Sequence, residues 1–160
     1  MKYCTNCVYP DVSASPLTFN EDGVCSGCQL SSTKIRIDWK ARWEELEVLT
    51  NKFKNKSYYD VLIPVSGGKD SYYQTYIAVK KLNLKPLLVT YHGNNYSDAG
   101  ERNLNNMRKV FNCDHIIFKP SEEILIKMNR LGFKIQGDMN WHNHCGIFTF
   151  PIQMACKFNI

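Results

Sequence analysis

No stretch of the chain approaches the roughly 20 consecutive apolar residues that a membrane-spanning helix needs, and no such span is expected. The opening Met1-Lys2-Tyr3-Cys4 lacks an apolar signal segment, so the cytoplasm is the expected compartment. There is no internal repeat and no low-complexity tract. With 44% hydrophobic and 22% charged residues the chain is neither disordered nor fibrous. Its 160 residues suit one compact domain with a small appendage. A continuous basic stripe is also missing. The net charge of +5 would serve nucleic acid, a polyphosphate or an acidic small substrate equally well. The clusters Lys52 to Lys56 and Lys80-Lys81 read as solvated helix faces.

Seven cysteines without a secretion signal point to metal or reactive thiols rather than disulfides. Four of them form two pairs, Cys4-x2-Cys7 and Cys25-x2-Cys28, with 17 residues between. That is the spacing of a four-cysteine zinc site, structural because four thiolates leave no open position. A redox CxxC and an iron–sulfur cluster are the rivals, and two matched pairs favour zinc. Between the pairs, Leu17 to Cys25 reads as a hairpin turning at Asp22-Gly23. This stretch shows little helical periodicity and cannot bury a useful core alone.

The division expected is a cysteine module over 1–33, an amphipathic helix within 34–57 and an α/β domain over 58–160. Asp38 caps the helix, and Trp39, Trp43, Leu46, Leu49 and Phe53 form a stripe expected to pack firmly. Strands follow at 61–65, 86–91 and 115–118. Helices follow at about 70–82, from Ser97 or Asp98 (with an Asp98/Glu101 capping box), from Ser121 to a stop at Gly132, and over 147–158. Leu104, Met107, Val110 and Phe111 supply the buried face of the second of these helices. The alternation implies a Rossmann-like parallel sheet in three layers. A further strand is expected after Ile160, so the chain reads as the front part of a longer protein or one completed by a partner.

Ser66-Gly67-Gly68-Lys69-Asp70-Ser71 lies between the first strand and its helix. Glycines permit close approach of an anion, and the helix start offers free amides and the positive end of its dipole. Ser66 and Ser71 add hydroxyls, Lys69 a mobile charge, and Asp70 a carboxylate for a magnesium ion. It is not a Walker turn, because the glycine that pattern needs is Ile63 here, nor a dinucleotide G-x-G-x-x-G.

The hexapeptide resembles the SGGKDS signature of the PP-loop ATP pyrophosphatases, which cleave ATP between its α and β phosphates. The resemblance implies ATP binding at Ser66 to Ser71, adenine near Val65 and Tyr91, and catalytic roles for Lys69, Asp70 and Ser71. More of the chain resembles the N-acetyl sugar amidotransferases: Tyr3 to Asp11, Gly23 to Cys28, Ile37 to Leu46, and Cys145-Gly146-Ile147-Phe148-Thr149-Phe150-Pro151. These belong to bacterial surface polysaccharide and nonulosonic acid (pseudaminic acid type) biosynthesis, including lipopolysaccharide. The activity this resemblance implies is ATP-dependent conversion of a sugar acetamido group to an acetamidino group. The implied partners are a nucleotide-linked acetamido sugar and a glutaminase subunit supplying ammonia, with no membrane and a homo-oligomer left open.

A tRNA-thiolating enzyme with a zinc ribbon is the rival, disfavoured because no CxxC accompanies the nucleotide turn. A non-catalytic ATP-binding adapter that recruits a glutaminase is the third reading. The late loop expected over 133–144 concentrates Asp138, His142, His144 and Cys145, read as substrate contacts in preference to a second metal site. Cys145 is expected just before a helix, where thiols acidify. Cys113 and Cys156 are expected as buried small hydrophobes.

Overall fold

A computed structural model describes residues 1–12, 15, 17–93 and 95–160. They form two compact units, Met1–Glu45 and Leu46–Ile160.

In the first unit, Tyr3 bridges Pro10 and Phe19 bridges Cys25, both antiparallel. The second bridge closes the hairpin expected at Asp22-Gly23. Gly23 adopts φ +75° and donates its N–H to the Asn20 carbonyl at 3.0 Å, while Asn20 Oδ1 accepts from Val24 N–H at 2.8 Å. A helix that periodicity does not announce comes next: α1, Ser26–Thr33. It buries no residue, so no apolar stripe marks it. Its N-cap is Cys25, whose sulfur accepts from Cys28 N–H. A short 3-10 turn spans Lys34–Arg36.

Helix α2, Trp39–Asn51, spans the division between the units. Asp38 caps it as expected, its Oδ1 accepting from Ala41 N–H at 2.9 Å. The firm packing expected of its stripe is corrected. No residue of α2 is buried, and Trp39, Leu46, Leu49 and the following Phe53 are exposed. Periodicity reports that one face is apolar, not that something covers it.

The second unit is α/β. Strands β1 (Val61–Pro64), β2 (Pro86–Tyr91) and β3 (Asp114–Phe118) form a parallel sheet in the order β1-β2-β3. Ile63 is opposite Leu88, and Leu88 is opposite His115. Parallel pairing requires crossovers. Helix α3 (Lys69–Tyr76), continued by a π-helical turn over Ile77–Lys81, and α4 (Asp98–Phe111) supply them. Two further helices, α5 (Glu122–Gln136) and α6 (Trp141–Phe158), complete the unit.

Successive side chains of a strand face opposite ways, and β2 uses both sides. Leu88 joins Ile63, Val65, Leu104, Met107 and Phe111 in one core, where Leu104, Met107 and Leu88 are fully buried. Burying each such side chain contributes about 1.5–3 kcal/mol. The other side of the sheet takes α6, which packs on β1 and β2. Gly146 permits this, because a Cβ there would lie 2.4 Å from the Tyr91 ring. Asp60, buried just before β1, accepts from Asn55 N–H at 2.6 Å and Lys85 N–H at 2.8 Å, tying the starts of β1 and β2 together.

Several local expectations change. The α4 cap is Ser97, accepting from Gly100 N–H at 3.2 Å, not an Asp98/Glu101 box, because Glu101 turns to His92 and Lys119. Val110 is exposed. Helix α5 does not stop at Gly132. It runs on to Gln136 and ends at Gly137, which takes φ +71°. Gly132 is buried because a Cβ there would meet the Asp138 carbonyl oxygen at 2.7 Å. The late loop shrinks accordingly, since 133–136 belong to α5 and 141–144 to α6. Cys145 therefore lies inside α6, and Cys156 is exposed while Cys113 is buried as expected. No helix among the described residues is long and apolar enough to cross a membrane.

Candidate functional site

The chain leaves β1 through Val65, whose N–H still pairs with the Val89 carbonyl at 2.9 Å. The Val65 carbonyl accepts from Thr90 Oγ1 at 2.6 Å, and the same hydroxyl lies 2.8 Å from His115 Nε2. Burial, with the Arg108 charge adding to it, lowers the His115 pKa and keeps the ring neutral.

The turn then closes on itself. Ser66 N–H donates to Ser71 Oγ at 3.0 Å, and the two hydroxyls stand 3.4 Å apart. Gly67 adopts φ +79°, and a Cβ there would lie 2.7 Å from the Leu104 backbone nitrogen, so the turn rests directly on α4. Gly68 is the N-cap of α3, and Lys69 is its first residue. The first-turn amides and the positive helix end therefore face outward beyond the strand, the arrangement that binds anions. Lys69 Nζ pairs with Asp70 Oδ1 at 2.7 Å, and both side chains are largely in solvent, at 89% and 82% exposure. Such a pair contributes little to stability and is free to re-form around a ligand.

Replacing Gly67 with alanine should cost about 1–3 kcal/mol through a left-handed backbone and a clash with α4. Gly68→Ala should be near neutral, since its Cβ would meet only Ser66 Oγ at 3.6 Å. Thermal unfolding of the two variants checks the contrast, and equal melting temperatures would contradict it.

Beside the turn lies a cavity of about 280 Å³ whose walls include Val65, Ser66, Ser71, Tyr91, Tyr96 and Phe148. Larger cavities lie elsewhere: one of about 640 Å³ along the outer edge of β1, one of about 660 Å³ by the residues that open β2 and β3, and one of about 500 Å³ at the cysteines of the first unit. None of the three touches the turn. Ligands of open parallel sheets bind at the carboxyl ends of the strands, so the smaller cavity is the chemically equipped one. Burial raises the phenol pKa values of Tyr91 and Tyr96, with Cys145 adding to the first and Glu101 to the second. Both rings therefore remain neutral. Tyr96 also stacks on buried His92, with ring centroids 4.3 Å apart. His92 Nε2 meets Glu101 Oε1 at 2.8 Å, and Lys119 reaches the same oxygen at 3.1 Å. The bond from Lys119, followed by that from His92, holds the Glu101 carboxyl below the usual range. Sequence reasoning missed this His92–Glu101–Lys119 group, whose members come from three separate segments.

The late residues do not converge. His142 is buried and bonds Asn129 on α5 at 2.6 Å. His144 lies 3.9 Å from Asp138, whose other carboxylate oxygen accepts from Asn140 N–H at 2.8 Å. Cys145 is exposed. It lies inside α6, not just before a helix as expected. Ile147 and Phe148, which come after it, line the cavity instead.

In the first unit, Cys4, Cys7, Cys25 and Cys28 bring their sulfurs within 4.8 Å of one another. Cys4 and Cys28 are 4.0 Å apart, Cys7 and Cys25 3.7 Å. Four thiolates at about 2.3 Å from a tetrahedral zinc stand about 3.8 Å from each other, so the set fits such an ion. The distances are far beyond a disulfide bond. Backbone N–H groups of Asn6 and Cys25 point at the Cys4 sulfur at 3.4 and 3.2 Å. Burial pushes the Cys4 thiol up, but hydrogen bonds from the Cys25, Cys7 and Asn6 backbone, with the Cys25 side chain, together outweigh it and bring its pKa down to about 6. Among the described residues no other group of His, Cys, Asp and Glu gathers in this way. No protein-family model matches the chain, and no curated protein matches it significantly.

Proposed function

We propose that the chain binds ATP at Ser66 to Ser71 and activates a sugar acetamido group, as an N-acetyl sugar amidotransferase of the PP-loop kind. The observation that carries the reading is the closed Ser66–Ser71 turn. It sits at the carboxyl end of β1 and the start of α3, against an aromatic-walled cavity of about 280 Å³. Tyr91, Tyr96 and Phe148 suit the flat faces of adenine, and the turn amides with Lys69 suit the phosphates. Asp70 would hold a magnesium ion, which supplies charge neutralisation at the phosphates.

In the first step the acetamido oxygen attacks the α-phosphorus. The bond from that phosphorus to its bridging oxygen breaks, and pyrophosphate leaves. Lys69 and the amides of Gly67 to Lys69 stabilise the charge that gathers on the departing oxygens. An amide oxygen carries no proton, so this step requires no base. In the second step ammonia, delivered by a separate glutaminase, attacks the imidate carbon. AMP departs and one proton is lost, giving the acetamidino group. The cysteine cluster would hold a structural zinc and takes no part in the chemistry.

The test is release of AMP and pyrophosphate from ATP with ammonia and a panel of nucleotide-linked acetamido sugars. Sugar-dependent release is expected. ATP binding with no release for any sugar would overturn the reading, and a salt-sensitive shift of tRNA would replace it with the thiolation chemistry.

A further inference from the structure

We propose that a second, smaller cavity beside the nucleotide site receives the acceptor's acetamido group, with Asn143 accepting a hydrogen bond from its N–H. The inference rests on the reading that the acceptor is an acetamido sugar. The cavity measures about 200 Å³ and is lined by Tyr91, Gly93, Asn95, Tyr96, Asn143 and Ile147. Three of these, Tyr91, Tyr96 and Ile147, also line the cavity at the phosphate turn. A group bound in one space therefore lies next to a nucleotide bound in the other.

Asn143 marks the cavity as a binding site. It lies in the first turn of α6 and is only 5% exposed, yet its Oδ1 has no hydrogen-bond partner. Buried polar atoms are ordinarily paired, and an unpaired one calls for an explanation. The amide is also accommodated deliberately by the backbone. A Cβ at Gly93 would lie 1.8 Å from Oδ1 and 2.9 Å from Cγ, so only glycine leaves room for it. A carbonyl oxygen accepts and never donates, so the missing partner is an N–H or O–H.

The remaining walls select further. Tyr91, Tyr96 and Ile147 present aromatic and aliphatic surface, which suits a methyl group next to that donor. A secondary amide bearing a methyl has both features, and a hydroxyl in the same place has only the donor. The volume lies below the range of sites that enclose a whole drug-sized ligand. It suits the acetamido arm, with the rest of the sugar nucleotide outside.

The experiment is saturation-transfer NMR on the full chain, with UDP-N-acetylglucosamine and UDP-glucose as probes, in the presence of ATP. Expected are strongest saturation at the acetamido methyl and preference for the acetamido sugar over UDP-glucose. Asn143→Ala should weaken UDP-N-acetylglucosamine binding about tenfold, the loss of one hydrogen bond, with ATP affinity unchanged. Equal binding of the acetamido sugar by wild type and Asn143→Ala would overturn the inference and leave the amidotransferase reading standing. Should the variant fail to fold, the wild-type pattern decides. Saturation centred on the uridine with no signal at the methyl overturns the inference. Failure of N-acetylglucosamine, N-acetylneuraminic acid and UDP-N-acetylglucosamine all to bind alongside ATP would overturn the reading itself, and the inference with it.

Discussion

Serine in place of any one of Cys4, Cys7, Cys25 or Cys28 should unfold the Met1–Glu45 unit. The reason is how little else that unit has. Among its described residues the only buried hydrophobic side chains are Cys4 and Cys25, at 1% and 2% exposure. Its bridges, Tyr3 to Pro10 and Phe19 to Cys25, are single pairs rather than strands. Two single-pair bridges and an exposed eight-residue helix cannot offset the chain entropy of ordering some forty residues, which costs about 1–2 kcal/mol for each backbone position. A four-thiolate zinc contributes apparent binding energy of about 10–16 kcal/mol at neutral pH, and that energy becomes folding energy. One zinc per chain is expected by elemental analysis. A strong chelator should collapse the dispersed amide signals of residues 1–45, while those of the sheet and α3 to α6 persist. The sheet has its own core in Ile63, Leu88, Leu104 and Met107. Amide signals from the first unit that survive both chelation and the serine variants would sink the zinc assignment.

Lys69→Ala should lower pyrophosphate release about 10²–10³-fold, the range seen when one preorganised donor to a developing negative charge is removed. Its melting temperature should not move, because the Lys69 side chain is 89% exposed and, among the described residues, pairs only with its neighbour Asp70. Ser71→Ala behaves differently. Ser71 is buried and its Oγ holds the Ser66 N–H. Deleting the hydroxyl leaves that amide without its partner, at a cost of about 1–3 kcal/mol. Ser71→Ala should therefore lose activity and melting temperature together. Steady-state assays run beside thermal unfolding separate the two cases. Unchanged pyrophosphate release by Lys69→Ala would remove the phosphate role from this turn.

What could be read from residues alone was local. The cysteine pairs, the Asp22-Gly23 hairpin, the Asp38 cap and the strand–turn–helix around Ser66 to Ser71 each depend on residues within a few positions of one another. What escaped was decided by contacts between distant segments. Gly132 looks like a stop signal, yet it stays within α5 because the Asp138 carbonyl packs on it. His142 and Asn143 look like loop residues, yet they are buried in α6, one bonded to Asn129 and the other fitted against Gly93. The stripe on α2 carries the signature of a packed helix, yet Trp39, Leu46 and Leu49 are exposed and Trp43 is half-buried. Polarity and period describe a side chain, not its surroundings. The Asn143 cavity obeys the same rule, since its residues lie in two stretches some fifty positions apart.

Thr90 carries one hydroxyl hydrogen, and the Val65 carbonyl takes it. The 2.8 Å contact with His115 must then run the other way, with Nε2 as the donor. Because the half-buried ring is neutral, its single proton sits on Nε2 and Nδ1 is bare. Nitrogen-15 shifts of His115 should report that tautomer. The last carbonyl before the Ser66–Ser71 turn is thus aligned by two hydrogen bonds in series, from His115 on β3 through Thr90 on β2, and the relay has one polarity only.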